Sequence, residues 1–155
     1  MADILEQLLQ EEHELQFKSF NEATAWQIGY HLVERGRRDG LAIAIDITHG
    51  NHQLFHASLS GTSPDNDEWI KRKVRLVYRF GHSSFYIGQL LKSKGKRIEE
   101  AYLLSESDYA PRGGCFPVIV RDTGVIGTIT VSGLAQEEDH KLVVGAIRDY
   151  LAQEK

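Results

Sequence analysis

A single cysteine, Cys115, stands in a chain of 155 residues. That count excludes an internal disulfide and a cysteine-rich metal site. Proline is scarce: Pro64, Pro111 and Pro117 are the only three, each near an expected element boundary. No internal repeat or low-complexity linker interrupts the chain. No apolar run approaches the roughly 20 residues that span a bilayer. Met1 to Gln10 has neither the basic n-region nor the long apolar core of a signal peptide. An excess of positive charge is missing as well. Lys plus Arg number 18 against 22 for Asp plus Glu, a formal charge of -4 with a pI near 6.0, so bulk charge does not hold nucleic acid here. What remains is ordinary globular usage, 41 % hydrophobic and 26 % charged. The expectation is one domain over residues 1–155, cytosolic, with no membrane or nucleic-acid partner.

Periodicity then orders the elements. Ile4, Leu5, Leu8 and Leu9 recur at helical spacing within Ala2 to Leu15. Asn21 is placed to cap a second helix that runs to about Arg37, with Asp39-Gly40 as its stop. Leu41 to Ile47 and Gln53 to Ser58 read as a hairpin about Thr48-His49-Gly50-Asn51. A long helix is expected from Thr62-Ser63-Pro64-Asp65 to Gly95, and a short one over Glu99 to Leu104. Phe116 to Val120 and Val125 to Val131 form a second hairpin across Arg121-Asp122-Thr123-Gly124. A final helix covers Gln136 to Ala152. Two hairpins in one antiparallel sheet, covered by helices, make an α+β domain.

Several constellations could carry chemistry. Arg72, Arg75, Arg79 and His82 follow at spacings of three, four and three on the expected long helix. Like charges so placed repel unless something anionic lies against them, and arginine grips carboxylates and phosphates in bidentate fashion. A solvated face, or ion pairs within or between subunits, is the commoner reason for such a stripe. Gly81, Ser84 and Gly88 share another stripe, which either admits a backbone or flat ligand or packs closely on the sheet or a second subunit. Arg112-Gly113-Gly114 enters the third strand, where adjacent glycines can turn N–H groups toward an anion; the Gly-Lys-Ser/Thr ending of a nucleotide P-loop is missing. Ser132 leaves the fourth strand just before the last helix, a ready anion site opposed by Glu137, Glu138 and Asp139. His49, His52 and His56 cluster at the first hairpin turn, with His52 and His56 expected on one strand face, but no His-Glu-x-x-His or zinc spacing appears. No Gly-x-Ser-x-Gly elbow marks a serine hydrolase, and Cys115 reads as a small buried hydrophobe.

Taken together, Asp67-Glu68-Trp69-Ile70-Lys71-Arg72-Lys73, Arg79-Phe80-Gly81-His82-Ser83-Ser84, Gly113-Gly114-x-Phe116-Pro117 and Gly127-Thr128-Ile129-Thr130-Val131-Ser132-Gly133-Leu134 with Glu138-Asp139-His140 look like one group. The chain resembles the haem-degrading-domain (GlcG/HbpS-like) family, in its branch of short cytosolic proteins, over nearly its whole length. Arg112 and Cys115 depart from the family's usual loop, which more often carries a histidine and a smaller or polar residue. The resemblance implies a profilin-like antiparallel sheet flanked by helices. It also implies homo-oligomers, dimers or higher rings. Some relatives bind haem or are linked to its breakdown, and one is appended to a cobalamin adenosyltransferase.

Three functions are weighed. The first is a small-molecule-binding protein for haem or a related planar anion, in a cleft built from Arg79, His82, Arg112, Gly113, Gly114 and Ser132. Its arginines would hold carboxylates, its glycines would admit a flat ring, and His82 would approach a metal or move a proton. The second is an oligomeric interaction module without catalysis. The third is an enzyme of haem breakdown, for which no complete acid–base–nucleophile set is visible.

Overall fold

The computed structural model describes residues 3–154; Met1, Ala2 (the expected start of the first helix) and Lys155 lie outside the described residues. Asp3 begins α1 (Ile4–Glu14) by accepting from the Leu5 N–H. Asn21 begins α2 (Glu22–Asp39) in a reciprocal capping box with Thr24, and Gly40, left-handed at φ 64, ends it. Between these helices lies β1 (Gln16–Phe17). The hairpin is β2 (Ala44–His49) and β3 (His52–Ser58). Three helices follow, α3 (Pro64–Phe80), α4 (Ser84–Lys94) and α5 (Ile98–Tyr102). The chain closes with β4 (Cys115–Val120), β5 (Gly124–Ser132) and α6 (Gln136–Gln153).

The single long helix expected after Pro64 is two helices. Gly81 at φ 72 ends α3 with its N–H on the Val77 carbonyl, and the Ser83 hydroxyl starts α4 by accepting from the Tyr86 N–H. A stop and a start signal two residues apart break the run, so Gly81, Ser84 and Gly88 do not share a helix. Gly88 has a packing reason instead: a Cβ there would collide with the Pro111 carbonyl.

The sheet is mixed, not wholly antiparallel. Its order is β1-β4-β5-β2-β3, and β1 runs parallel to β4 through Gln16 opposite Ile119 and Phe17 opposite Val120. A two-residue strand carries no periodicity, so this edge is invisible in the hydrophobic pattern.

Register decides what each sheet face buries. Ile45, Ile47, Phe116, Val118, Ile129 and Val131 point to one side, into the main core with Ile28 and Leu32 of α2 and Val143 and Ile147 of α6. The alternate residues face α3. There Thr48 is opposite Thr128, Asp46 opposite Thr130, Ala44 opposite Ser132, and Cys115 opposite Thr130 on the other flank. One face of the central strands is therefore dry and the other polar yet buried. A register shift at Ile47/Thr48 sets Gln53 opposite Thr48 and His56 opposite Asp46. It puts Gln53 and His56 on one face, and His52 does not share it, contrary to the simple alternation of the sequence. Leu76, Ile87, Leu91 and Ile98 form a second core among α3, α4 and α5. Among the described residues no helix is long and apolar enough to cross a membrane.

Candidate functional site

Helix α3 lies over the polar face of the sheet, and its own apolar stripe is interrupted there. Ile70, Leu76 and Val77 are buried, and so is Lys73 between them, at 4 % exposure. Its ammonium donates to Asp139 Oδ2 at 3.4 Å and to the Val131 carbonyl at 3.3 Å. Asp139, in the first turns of α6, is 2 % exposed. It also accepts from the Gly133 N–H at 3.3 Å and the Leu134 N–H at 2.9 Å. The aspartate thus fixes the β5–α6 turn and neutralises the lysine in one contact. Burial holds the Lys73 ammonium below its ordinary pKa, with Asp139 opposing and Arg112 assisting; burial likewise raises the Asp139 carboxyl, with Lys73 opposing.

Above this pair opens a cleft of about 420 Å³, within the size range of ligand sites. Asp65, Asn66 and Trp69 of α3 form one wall, Arg112 a second, and Ser132 to Gln136 with Asp139 the third. The Arg72 and Arg112 guanidinium groups lie over the Trp69 ring, 4.3 and 5.9 Å from its centre. Gly113 and Gly114 do not line the cleft but pack against residues that do. A side chain on Gly114, at φ 137, would collide with the Val131 carbonyl and stand 2.7 Å from Lys73 Nζ. Gly113 donates its N–H to Gln136 Oε1 at 3.0 Å, so these two glycines make room for a lysine and bond a side chain of α6. Lys73 and Arg112 are balanced by Asp65 and Asp139, so the lining as a whole carries no excess charge.

Of the six residues expected in one cleft, Arg112 and Ser132 line it; Gly113 and Gly114 are outside the lining, packed against Gln136 and against Lys73 and Asp139. Arg79 and His82 lie elsewhere. Arg79 borders a separate hollow of about 550 Å³ with Thr48, Asn51, Arg75, Tyr78 and Tyr109. His82 falls in the break between α3 and α4. Its Nδ1 meets Glu12 Oε1 at 2.7 Å, while Glu12 Oε2 accepts from the Ser83 N–H at 3.0 Å. That hydrogen bond raises the imidazole above its ordinary pKa. Two of the stripe's three arginines are held by the chain itself. Arg72 donates to the Glu106 carbonyl and Arg75 to the Asp108 carbonyl at 3.3 Å. His56 meets Asp67 at 2.8 Å. Cys115 is fully buried, and burial pushes its thiol up to about 12, which keeps it protonated and non-nucleophilic at neutral pH. Among the described residues no group of three or more His, Cys, Asp or Glu converges as a metal site.

Sequence reasoning misses Lys73, Asp139, Trp69 and Gln136. For the two buried charges a signal exists: Lys73 is in helical register with Ile70 and Leu76–Val77, and Asp139 with Val143 and Ile147. A charge inside an apolar stripe is a buried charge.

A five-stranded mixed sheet with helices on both faces, holding a polar cleft between one helix and the end of a central strand, is the class of protein these observations define. Residues 20–148 match the family described as haem degrading protein HbpS-like, and the chain belongs to that family. A UPF0303 protein of Streptomyces coelicolor is 44 % identical over 152 residues, covering 98 % of this chain and 96 % of that one. The crystal structure of the Ybr137w protein is 33 % identical, with a TM-score of 0.90 over 97 % of this chain and 88 % of that one. The crystal structure of a PduOC:haem complex shares the fold at a TM-score of 0.67 and 18 % identity, over 85 % of this chain and 94 % of that one.

Proposed function

We propose that this protein binds a small planar anion in the Lys73–Arg112 cleft. One observation carries the reading: a lysine amine buried at the floor of an open cleft, with a second cation at its mouth and an indole beside it. A lysine is rarely buried without a partner. Here its two hydrogen bonds are long, 3.3 and 3.4 Å, and an ammonium has three donors. One donor is thus left for a ligand in the cleft. Arg112 would take a carboxylate in bidentate fashion, Trp69 would cover a flat face, Ser132 would shape the wall, and Gly114 leaves room for the Lys73 nitrogen.

Haem is the first compound to test, because the family carries its name and a fold neighbour is a haem complex. Arg112 suits one of haem's carboxylates. The cleft does not suit the iron, since no histidine, methionine, cysteine or tyrosine is among the lining residues. His82, whose Nδ1 is engaged by Glu12, is the alternative anchor outside the cleft, near neither Arg112 nor Ser132 in the lining, and Arg79 belongs to the separate hollow. Haemin titration followed by absorbance separates these readings. A saturable Soret shift weakened by Arg112→Ala and indifferent to His82→Ala supports carboxylate capture in the cleft. The reverse pattern moves the site to His82. No shift removes haem and leaves the cleft to another planar anion.

We also infer a cytoplasmic homo-oligomer, a dimer or higher ring. Trp26 and Tyr30 of α2 are 58 % and 57 % exposed, and large aromatic surface of this kind is enriched in subunit contacts. Light scattering of the purified protein, repeated with Trp26→Glu, tests it: a monomeric mass for the unaltered protein refutes the assembly.

A further inference from the structure

The charge balance of the cleft narrows the ligand class. Lys73 and Arg112 face Asp65 and Asp139, so a ligand carrying several negative charges gains little. A ligand with one carboxylate, able to engage Arg112, and one uncharged polar group, able to reach the Lys73 nitrogen, fits better. Lys73 is the sole lysine lining the cleft, and its nearest charged partner, Asp139, is equally buried. Resting on the anion-binding reading above, we propose that the cleft takes a small 2-oxo acid and that Lys73 forms an imine with its carbonyl carbon, with Asp139 as the proton carrier.

The surroundings suit that chemistry. An amine attacks a carbonyl only when neutral. Burial of both groups favours the neutral amine and the neutral acid, opposed by their mutual attraction and by the Gly133 and Leu134 N–H groups on Asp139; the neutral pair is the reactive one, with the proton passed across the 3.4 Å contact. With the proton on Asp139, the nitrogen lone pair forms the C–N bond and the carbonyl π pair moves to oxygen, which takes the Asp139 proton. The nitrogen then returns one of its own protons to Asp139. The nitrogen lone pair expels the hydroxyl group, which leaves as water with that proton. The products are an iminium ion on Lys73, an aspartate beside it and one water. No oxidant or further reactant is consumed. Gly114 is needed because any larger residue would crowd Lys73 Nζ. Arg112 would set the 2-oxo acid's orientation by its carboxylate, and Ser132 lies on the same wall.

The test is reductive trapping. The full-length protein is incubated with pyruvate and sodium cyanoborohydride, then read by intact mass and peptide mapping. One adduct at Lys73 is expected, ahead of the exposed Lys92, Lys94 and Lys96. Lys73→Arg, which keeps a cation beside Asp139, should abolish it. Arg112→Ala should raise the half-saturating pyruvate concentration about tenfold. Labelling spread evenly over the exposed lysines, or undiminished in Lys73→Arg, overturns the imine. The site map of the unaltered protein decides the matter even if the variant misfolds. Thermal shifts with propanoate, which lacks the carbonyl, and with pyruvate distinguish the two levels of the reading. Stabilisation by both without a Lys73 adduct overturns the imine and leaves anion binding standing. Neither stabilisation nor adduct overturns both.

Discussion

Replacing Asp139 with alanine removes the one carboxylate that faces a lysine almost wholly out of water. Leaving a buried charge without its partner costs about 3–5 kcal/mol. Two features of the structure set the value within that range. The Gly133 and Leu134 N–H groups, which Asp139 also binds, belong to an exposed and a half-buried residue, so water can replace that carboxylate and adds little to the loss. Lys73 can shed its proton, because burial already depresses its pKa, and that escape limits the cost. The expected loss for Asp139→Ala is therefore about 3 kcal/mol, at the lower end of the range. Lys73→Met alone should lose less, since Asp139 keeps its two backbone donors. In the Lys73→Met/Asp139→Ala double variant the loss should fall short of the sum of the singles by about 2 kcal/mol, within the usual span for contacting residues. Urea denaturation at one pH measures all four proteins, with a shared m value as the check that unfolding remains two-state. A loss under about 1 kcal/mol for Asp139→Ala, or strictly additive singles, would refute the reasoning that this pair is a desolvated, mutually dependent unit.

Gly114→Ala should destabilise by at least about 2 kcal/mol, because the residue adopts φ 137 and its new methyl would meet the Val131 carbonyl; an unchanged midpoint in the same urea assay counts against the close packing at Gly114. Gly145→Ala is the contrasting case. It lies inside α6 with nothing within 4 Å of its Cβ position, so stability should rise by up to about 1 kcal/mol. Thr130→Val should be neutral or mildly stabilising, since among the described residues the buried Thr130 hydroxyl meets no oxygen or nitrogen partner; a clear loss of Tm would reveal that its contact with the Cys115 thiol matters. The His82–Glu12 contact has a definite pH sign. Its folded pKa is raised by that hydrogen bond, so its contribution is complete below the ordinary imidazole value of about 6.5 and fades as pH rises through the folded value. The Tm deficit of His82→Gln should accordingly be larger at pH 6 than at pH 8, and a deficit that grows with pH contradicts the assignment.

The parts of the fold that carried local signals are those readable in advance. Asn21 and Gly40 bound α2 because one supplies a side-chain acceptor and the other a left-handed turn, and both are properties of single residues. The α3–α4 break has the same kind of signal in Gly81 followed by Ser83, but the apolar pattern continues through it from Val77 to Ile87, and periodicity alone joins the two helices. β1 has no local signal: Gln16 and Phe17 are a strand only because Ile119 and Val120 lie beside them. The cleft divides along the same line. Arg112, Gly113, Gly114 and Ser132 sit at the ends of β4 and β5, and antiparallel neighbours bring strand ends together, so their meeting follows from the hairpin. The break at Gly81 turns His82 aside toward Glu12, whereas Arg79 is still on α3 but nearly three turns beyond Trp69, too far along the axis to reach the cleft. Lys73 and Asp139 are hidden among charged neighbours, Lys71 and Arg72 on one helix, Glu137 and Glu138 on the other, which charge counting treats alike. Position separates them. Each alone falls in the apolar stripe of its helix, one positive and one negative, on helices that meet the same strand, β5. Neither charge is tolerable in such a stripe by itself, so each predicts an opposite charge close by. Two helices that each carry one misplaced charge of opposite sign are held in register by that requirement, and the cleft forms where the register places it.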